Sequence, residues 1–403
     1  MRILMVSEDI PAPQVGGLGK HVVTLANALI DAGHQVHLMG RNDCDYSACA
    51  SEIGFKGHFI PGFDLANAGW KETQLGVFIA PKRPALAKRI ARAITARASG
   101  YDVVHYHGHL PMVGRYVSGT INFVQTRHDQ GSECLTHVRF VDGEVCDTTR
   151  PQDCAQCIHA NPGPFRQFIS ATAVNRYRRE TADTFAKCKT IFVSDFLRRQ
   201  FVRAVPSANM DKTHVVHNFI DLSRLLRLAG TSGTFEQGKI LLAGRIDQAK
   251  GFGAFLAEAT NRIPQGVTLN IVGDGPEKGV LEQQYANDQI IFSGWQSYDS
   301  VIGMTAQSHV CVVPSIWQEP FGTTTLEALA LGRPCIALSR GGTPELIRYQ
   351  RYEGQLVLVQ TMPELVNAAF AQALQSTVAM PLPDKLDMDV SVVLDSILEI
   401  YKR

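Results

Sequence analysis

Short apolar runs, each closed by a glycine-containing turn and followed by a stretch of helical spacing, recur along nearly the whole chain. Ile3-Leu4-Met5-Val6 is the first. A turn holding Gly16 and Gly17 follows it, then an apolar-periodic stretch from His21 to Leu29, so the segment reads as strand, loop and helix. Gly33 is a suitable C-cap for that helix, and Gln35-Val36-His37-Leu38-Met39 resumes as a strand. Strands that alternate with helices in this way must run parallel, because each helix carries the chain back to the edge it left.

The same style continues through Val103-Val104, Asn122-Phe123-Val124-Gln125 and Thr190-Ile191-Phe192-Val193. It restarts at Lys239-Ile240-Leu241-Leu242-Ala243 and runs on through Leu269-Val272, Ile290-Phe292, Val310-Val313 and Pro334-Ala337. A chain of 403 residues is long for one core. We therefore expect an α/β protein of two doubly wound Rossmann-like domains, 1–220 and 221–385, followed by a C-terminal helix at 386–403 that packs back on the first domain. Ser, Gly and Thr cluster at Ala229-Gly230-Thr231-Ser232-Gly233-Thr234, in keeping with a join between about Asp221 and Lys239. Ligands of open α/β sheets bind beyond the carboxyl ends of the strands, so two such domains are expected to face one another across a deep cleft.

A hydrophobic content of 45% with 19% charged residues describes a globular chain. No apolar run reaches the roughly 18 residues that cross a bilayer, and Glu8 and Asp9 come too early for a signal peptide. The expectation is a cytoplasmic protein with reduced thiols, since nine cysteines are scattered without a disulfide pattern. Charge is uneven. Residues 1–220 hold 25 Lys+Arg against 19 Asp+Glu, and the remainder holds 14 against 19, so the first half is the better partner for an anionic surface.

Several turns after these strands carry chemistry. Gly244-Arg245-Ile246-Asp247-Gln248-Ala249-Lys250-Gly251 offers two cations within one loop, suited to a diphosphate. Gly273-Asp274-Gly275-Pro276 is a strand-to-helix turn of a common kind. The most informative segment is Pro314-Ser315-Ile316-Trp317-Gln318-Glu319-Pro320-Phe321-Gly322-Thr323-Thr324-Thr325-Leu326-Glu327-Ala328. It sets one carboxylate before a glycine turn and another inside the helix that the turn starts. Backbone N–H groups near Gly322, Thr323 and Thr324 would hold an anion at that helix N-terminus.

With its two glutamates in a P-S-x-x-x-E-x-F-G-x-x-x-x-E-A arrangement, the sequence resembles the retaining glycosyltransferases of family 4, which have the GT-B fold. The likeness extends to Gly16-Gly17-Leu18-Gly19, to Asn218 and Asp221, and to Arg245 with Lys250. It implies that Glu319 holds sugar hydroxyls, Glu327 holds ribose hydroxyls, and Arg245 and Lys250 bind the diphosphate of a UDP- or GDP-sugar. Gly16 and Gly17 would approach the phosphates, with Gly273, Phe321, Gly322, Thr323 and Thr324 completing the donor site. His128, in Thr126-Arg127-His128-Asp129, matches a histidine near the transferred sugar; His105 and His107 lie at another strand end, His107 being the better cleft candidate, with packing the alternative for both. The resemblance implies retention at the anomeric carbon without a protein nucleophile or a catalytic metal. Asp43-Cys44-Asp45 and Asp387-Met388-Asp389 satisfy a D-x-D pattern but lack the strand-end context of a metal site.

Between residues 130 and 164 an irregular insert carries Cys134, Cys146, Cys154 and Cys157, a spacing that permits tetrahedral zinc coordination, with His137 or His159 as substitute ligands. Free thiols are the alternative. Its place after His128 points to the acceptor, expected to be a glycan or glycolipid. The basic stretch from Lys82 to Arg97, extended by Arg176, Arg178 and Arg179, reads either as a solvated face or as a site for an anionic membrane surface. No nucleic-acid motif is present. A glycogen- or starch-synthase-like glucan extender and an inactive nucleotide-sugar-binding homologue are the competing readings. Synthases of that kind carry Lys where this chain has Gln14. A dinucleotide oxidoreductase would need a third glycine where His21-Val22 stands. Trp295 could lie against a nucleotide base or pack in the core.

Overall fold

The computed structural model describes residues 1–12, 16–65, 73–74, 77–78, 82–230, 235–376 and 385–402. Gln14, Pro81 and the Thr231–Thr234 stretch of the expected join lie outside them. The chain forms two units: Met1–Arg139, Cys146–His217 and the end of the chain from Val393, and second, Phe140–Val145 with Asn218–Val392.

The first unit is built on a seven-stranded sheet. Its strands are β1 (Arg2–Ser7), β2 (Gln35–Arg41), β3 (His58–Phe63), β4 (Val103–His107), β5 (Phe123–Arg127), β6 (Lys189–Phe192) and β7 (Thr213–Val215). They lie in the order β7-β6-β5-β4-β1-β2-β3, all parallel. Helix α1 (Gly17–Asp31) follows β1 and buries Leu18, Val22, Leu25, Ala26 and Leu29, a stripe at helical spacing. It ends just before Gly33, whose φ of +85° is the left-handed conformation that closes a helix. Helices α2 (Lys82–Thr95) and α3 (Pro164–Lys187) cover the sheet, with Ile90, Ile94 and Val174 packed on Val6, Val104 and Phe123.

The second unit repeats the plan with six strands: β8 (Glu236–Ala243), β9 (Thr268–Val272), β10 (Ile290–Gly294), β11 (Ser308–Val313), β12 (Cys335–Leu338) and β13 (Leu356–Val359). Their order is β10-β9-β8-β11-β12-β13, again parallel. Its core gathers Ile240, Leu242, Leu269, Val310 and Ile336 from the strands with Phe252, Phe255 and Leu365 from the helices. Val390–Lys402 is helical; Tyr401 near its end hydrogen-bonds His105 Nδ1 at 2.7 Å, and Asn122 donates to the Tyr401 carbonyl at 2.8 Å, both contacts within the first unit.

The insert after His128 is irregular, with a short antiparallel pair, Phe140–Val141 with Glu144–Val145. Buried arginines satisfy its carbonyls. Arg139 donates to Cys146 O and Thr148 O, and Arg178 to Glu133 O and Thr149 O. Arg83 donates to Leu135 O, and its other guanidinium nitrogen meets the Tyr177 hydroxyl at 3.2 Å. Such charge-assisted bonds order a segment too polar to form its own core.

Candidate functional site

In the second unit every motif loop leaves the carboxyl end of a strand. Gly244 follows β8, Gly273 follows β9, Pro314 follows β11 and Ser339 follows β12. The loops are locked by backbone contacts that only glycine allows. A Cβ on Gly273 would meet Gly244 O at 1.8 Å, and one on Gly251, at φ +74°, would meet Pro314 O at 2.1 Å. Gly273 is thus explained by the packing of its own loops. Two glycines that sequence reasoning passed over belong to the same construction: Gly341 would press on Glu319 O at 2.2 Å, and the Gly342 N–H donates to Glu319 O at 2.7 Å. A Gly-Gly pair after a strand was the available signal.

This scaffold joins Lys250 to Glu319. The Lys250 ammonium lies 2.6 Å from Glu319 Oε1, and Ser315 Oγ donates to the same oxygen at 2.6 Å. Burial of Glu319 would by itself raise its pKa, but the Lys250 charge and hydrogen bond, with that of Ser315, hold it below the ordinary value. Lys250 also stands 5.3 Å over the Trp317 ring. Gly322, at φ +96°, opens the helix Thr323–Ala330, and Phe321 is buried beneath the turn. Arg245 is 71% exposed, with Nε 3.2 Å from Asp247 Oδ2. Asp247 caps the turn holding Lys250 by accepting from its backbone N–H at 3.0 Å.

Glu327 has a partner that the sequence reading missed. The Tyr298 hydroxyl hydrogen-bonds it, and burial together with the Glu327 charge pushes Tyr298 far above an ordinary phenol. Arg224 lies 5.2 Å over the Tyr298 ring and bonds Asp299 at 2.8 Å. Trp295, 47% exposed at the end of β10, is no core residue. Asp221 caps the helix Leu222–Ala229, and Asp389 accepts from Leu222 N and Ser391 Oγ. Asp43 is held by Arg41 and Asp45 by Ser47, so the first D-x-D pair serves local contacts.

In the first unit, Ser7 pairs with His107 and His107 with Thr126, which brings Glu8, His107 and His128 to one end of the sheet. His107 Nδ1 is 3.1 Å from His128 Nε2, and His21 of α1 lies edge-on to His128 with centroids 4.6 Å apart. Burial first, and the neighbouring imidazoles second, depress the pKa of His107 and His128 well below the usual value. His109 behaves oppositely. Burial works against its charge, but hydrogen bonds to Asp129 at 2.6 Å and Asp9 at 3.3 Å lift its pKa well above the usual value. The buried Arg127 donates to Gly108 O and His109 O, fixing the loop that carries His109. Gly16 and Gly17 stand at the start of α1, and a Cβ added at either would meet nothing within 4 Å among the described residues.

Among the described residues, the groups of three or more potential metal-ligating side chains whose ligand atoms lie within 4.8 Å of one another are His21–His107–His128 and His109–Asp129–His137. The tetrathiolate set suggested by spacing is not one of them. Cys134 contacts Thr136, Cys154 contacts Arg150 O, and burial pushes the Cys154 thiol up to about 11. The basic patch is narrower than expected: Arg178 is buried at 5% exposure and serves the insert, as does Arg83 at 4%. Lys88, Arg89 and Arg92 of α2 and Arg176 and Arg179 of α3 remain exposed. No helix among the described residues is long and apolar enough to cross a membrane.

Residues 15–224 match the profile of Glycosyltransferase Family 4, and residues 237–379 match Glycosyl transferases group 1. The chain belongs to glycosyltransferase family 4. It is 26% identical over 366 residues to glycogen synthase of Mycobacterium tuberculosis, covering 86% of this chain and 80% of that protein. It is 31% identical over 175 residues to N-acetyl-alpha-D-glucosaminyl L-malate synthase of Bacillus anthracis, covering 37% and 44%. The fold is similar to that of Anabaena HepE in complex with UDP and glucose, with a TM-score of 0.62 at 17% identity over 99% of each chain. Sucrose-phosphate synthase of Thermosynechococcus elongatus gives a TM-score of 0.61 at 18% identity, over 100% of this chain and 98% of that one. Two parallel-sheet Rossmann-like units are thus the GT-B architecture of this family, and the chain is a glycosyltransferase.

Proposed function

We propose that this transferase moves a hexose from a UDP- or GDP-sugar to a hydroxyl of a lipid-linked or surface-polysaccharide acceptor, with retention at the anomeric carbon and without a catalytic metal. The Lys250–Glu319 pair carries the reading. A carboxylate kept ionised in a buried position is a strong acceptor for sugar hydroxyls, and the ammonium beside it can meet the charge that grows on a departing diphosphate. The exposed Arg245 can swing onto the same phosphates, and the N-terminus of Thr323–Ala330, with Gly322, Thr323 and Thr324, adds backbone donors. Glu327, oriented by Tyr298, takes the ribose hydroxyls. By the family resemblance Gly16 and Gly17 serve the donor phosphates, and His128 attends the transferred sugar as a neutral hydrogen-bonding imidazole.

Breaking the bond between the anomeric carbon and the diphosphate oxygen sends the electron pair to the phosphate. The same oxygen then accepts the proton of the incoming hydroxyl, which attacks from the face that the leaving group vacates. HepE, similar in fold, was crystallised with UDP and glucose, which supports a nucleotide-sugar donor here. The exposed Lys88, Arg89, Arg92, Arg176 and Arg179, with Phe165 and Phe168 at 74% and 71% exposure, support contact with an anionic membrane. Vesicles containing phosphatidylglycerol should sediment the protein, and should lose it when Lys88, Arg89 and Arg92 become Gln.

A panel of nucleotide sugars, followed by donor hydrolysis and by NMR of the product anomer, tests the reaction. Glu319→Ala and Lys250→Ala should each abolish hydrolysis; unchanged rates would defeat the site assignment. The match to glycogen synthase along 86% of the chain favours one second reading, a glucan extender. Incorporation of label into maltooligosaccharides would decide for it.

A further inference from the structure

His21, His107 and His128 come from three elements: α1, the last residue of β4 and the residue after β5. One ligand nitrogen from each lies within 4.8 Å of the other two. Two imidazoles bound to one ion, with metal–nitrogen bonds of ~2.0–2.1 Å and near-tetrahedral angles, stand roughly 3.3 Å apart. The 3.1 Å between His107 Nδ1 and His128 Nε2 is close to that edge. The rings also converge instead of stacking, His21 being tilted 75° to His128 and 51° to His107. His105, the nearest further imidazole to His107, is occupied: Tyr401 OH and Thr126 Oγ1 take its nitrogens at 2.7 and 2.8 Å.

The neighbouring group, His109–Asp129–His137, is a different object. Asp129 Oδ2 already holds His109 at 2.6 Å and Asp129 Oδ1 accepts from Gly131 N at 2.8 Å, so the carboxylate is committed to an ion pair and a backbone cap. The three-histidine group has no carboxylate to neutralise, and its chemistry is that of neutral nitrogen donors. Such donors select borderline transition ions over Mg²⁺ or Ca²⁺, which want oxygen.

We propose that His21, His107 and His128 form a three-imidazole site for one divalent transition ion of the Zn²⁺ class, whose remaining coordination position is open to an oxygen ligand. Resting on the assignment of His128 to the transferred sugar, it follows that the ion withdraws His128 from that sugar and inhibits transfer reversibly. Metal and sugar then compete for one imidazole.

The full-length chain, stripped with a chelator and dialysed, is titrated with Co²⁺ and read by its visible d–d bands. One equivalent should bind with intense tetrahedral bands, Zn²⁺ should displace it, and Mg²⁺ should not. His21→Asn should weaken Co²⁺ binding by about 100-fold while donor hydrolysis in chelator stays intact. His107→Asn, read by its Co²⁺ affinity alone, serves as the second variant should the first lose its native circular dichroism. Absence of bound Co²⁺ at tenfold excess, unchanged affinity in His21→Asn, or sulfur-to-cobalt charge-transfer bands that move the ion to the cysteines would each overturn the site. Co²⁺ bound as expected but with turnover unaffected by Zn²⁺ would keep the site and overturn the inhibition, and with it the place given to His128.

Discussion

Lys250 and Glu319 neutralise each other where little water reaches, so neither can be changed without exposing the other's cost. Replacing Lys250 by Met leaves a buried carboxylate that Ser315 still bonds, and burial, now unopposed by the ammonium, lifts its pKa. In the wild-type protein the ionised form persists as pH falls until below the ordinary 4.5. In Lys250→Met the acidic limb of the pH–rate profile should therefore move upward, alongside a loss of about 100-fold or more in kcat from the missing charge. A variant that loses rate without moving that limb would contradict the pairing. Tyr298 gives a milder case, since it touches Glu327 and acts on the donor only through it. A hydrogen bond to a charged group contributes about 1.5–3 kcal/mol, so Tyr298→Phe should raise the donor KM by about tenfold or more, and kcat should hold. A fall in kcat with KM unchanged would remove Tyr298 from this positioning role.

The glycines differ at the level of the loop. Gly251 is held by its neighbours, because the left-handed φ of +74° and the Pro314 carbonyl 2.1 Å from a Cβ both exclude a side chain. Gly251→Ala should cost about 1–3 kcal/mol, lower the Tm of the second unit by several degrees, and displace the turn that presents Lys250. Gly16→Ala meets no atom within 4 Å among the described residues and keeps an ordinary φ of −73°. Its Tm should be unchanged, with the donor KM raised, if the space is kept for phosphate; equal KM values would show that it is not. Sequence pattern made the inner strands legible because they are nearly continuous apolar runs, as buried parallel strands must be. In the two parallel sheets the strands it missed are β3, β7 and β13. β3 reads His-Phe-Ile-Pro-Gly-Phe at the sheet edge, where Pro61 is tolerated because an edge strand can spare a donor. β7 and β13 are edge strands too, at three and four residues. Glu319, Glu327 and Lys250 were legible because their spacing is local. Tyr298, Gly341 and the buried arginines of the insert were not, since what makes them matter is a contact across the fold.

At the scale of the molecule the histidines are unevenly placed. In the first unit burial holds His105 down at about 3 and His137 at about 4, and keeps His107 and His128 well below the ordinary 6.5. In the second unit, among the described residues with a resolved shift, His309 is lowered. An unfolded chain protonates these imidazoles near pH 6.5, whereas the folded one refuses the protons, so stability falls as pH drops through that interval. Each refused proton contributes a slope of about 1.4 kcal/mol per pH unit. His109 has the opposite sign: its raised pKa stabilises below 6.5 and the contribution is lost as pH rises through the folded value. Stability of the first unit should therefore peak near neutrality. Two units need not melt together. Calorimetry in chelator at pH 7 and pH 5.5 should show the first unit's transition moving down by several degrees more than the second's. Replacing His105 by Asn removes one of the refused protons, so the acid-induced shift should shrink by about 1.4 kcal/mol per pH unit relative to the wild-type chain, whatever the variant does to stability at pH 7. Parallel movement of the two transitions, or an undiminished shift in His105→Asn, would mean that the first unit's histidines are not held neutral.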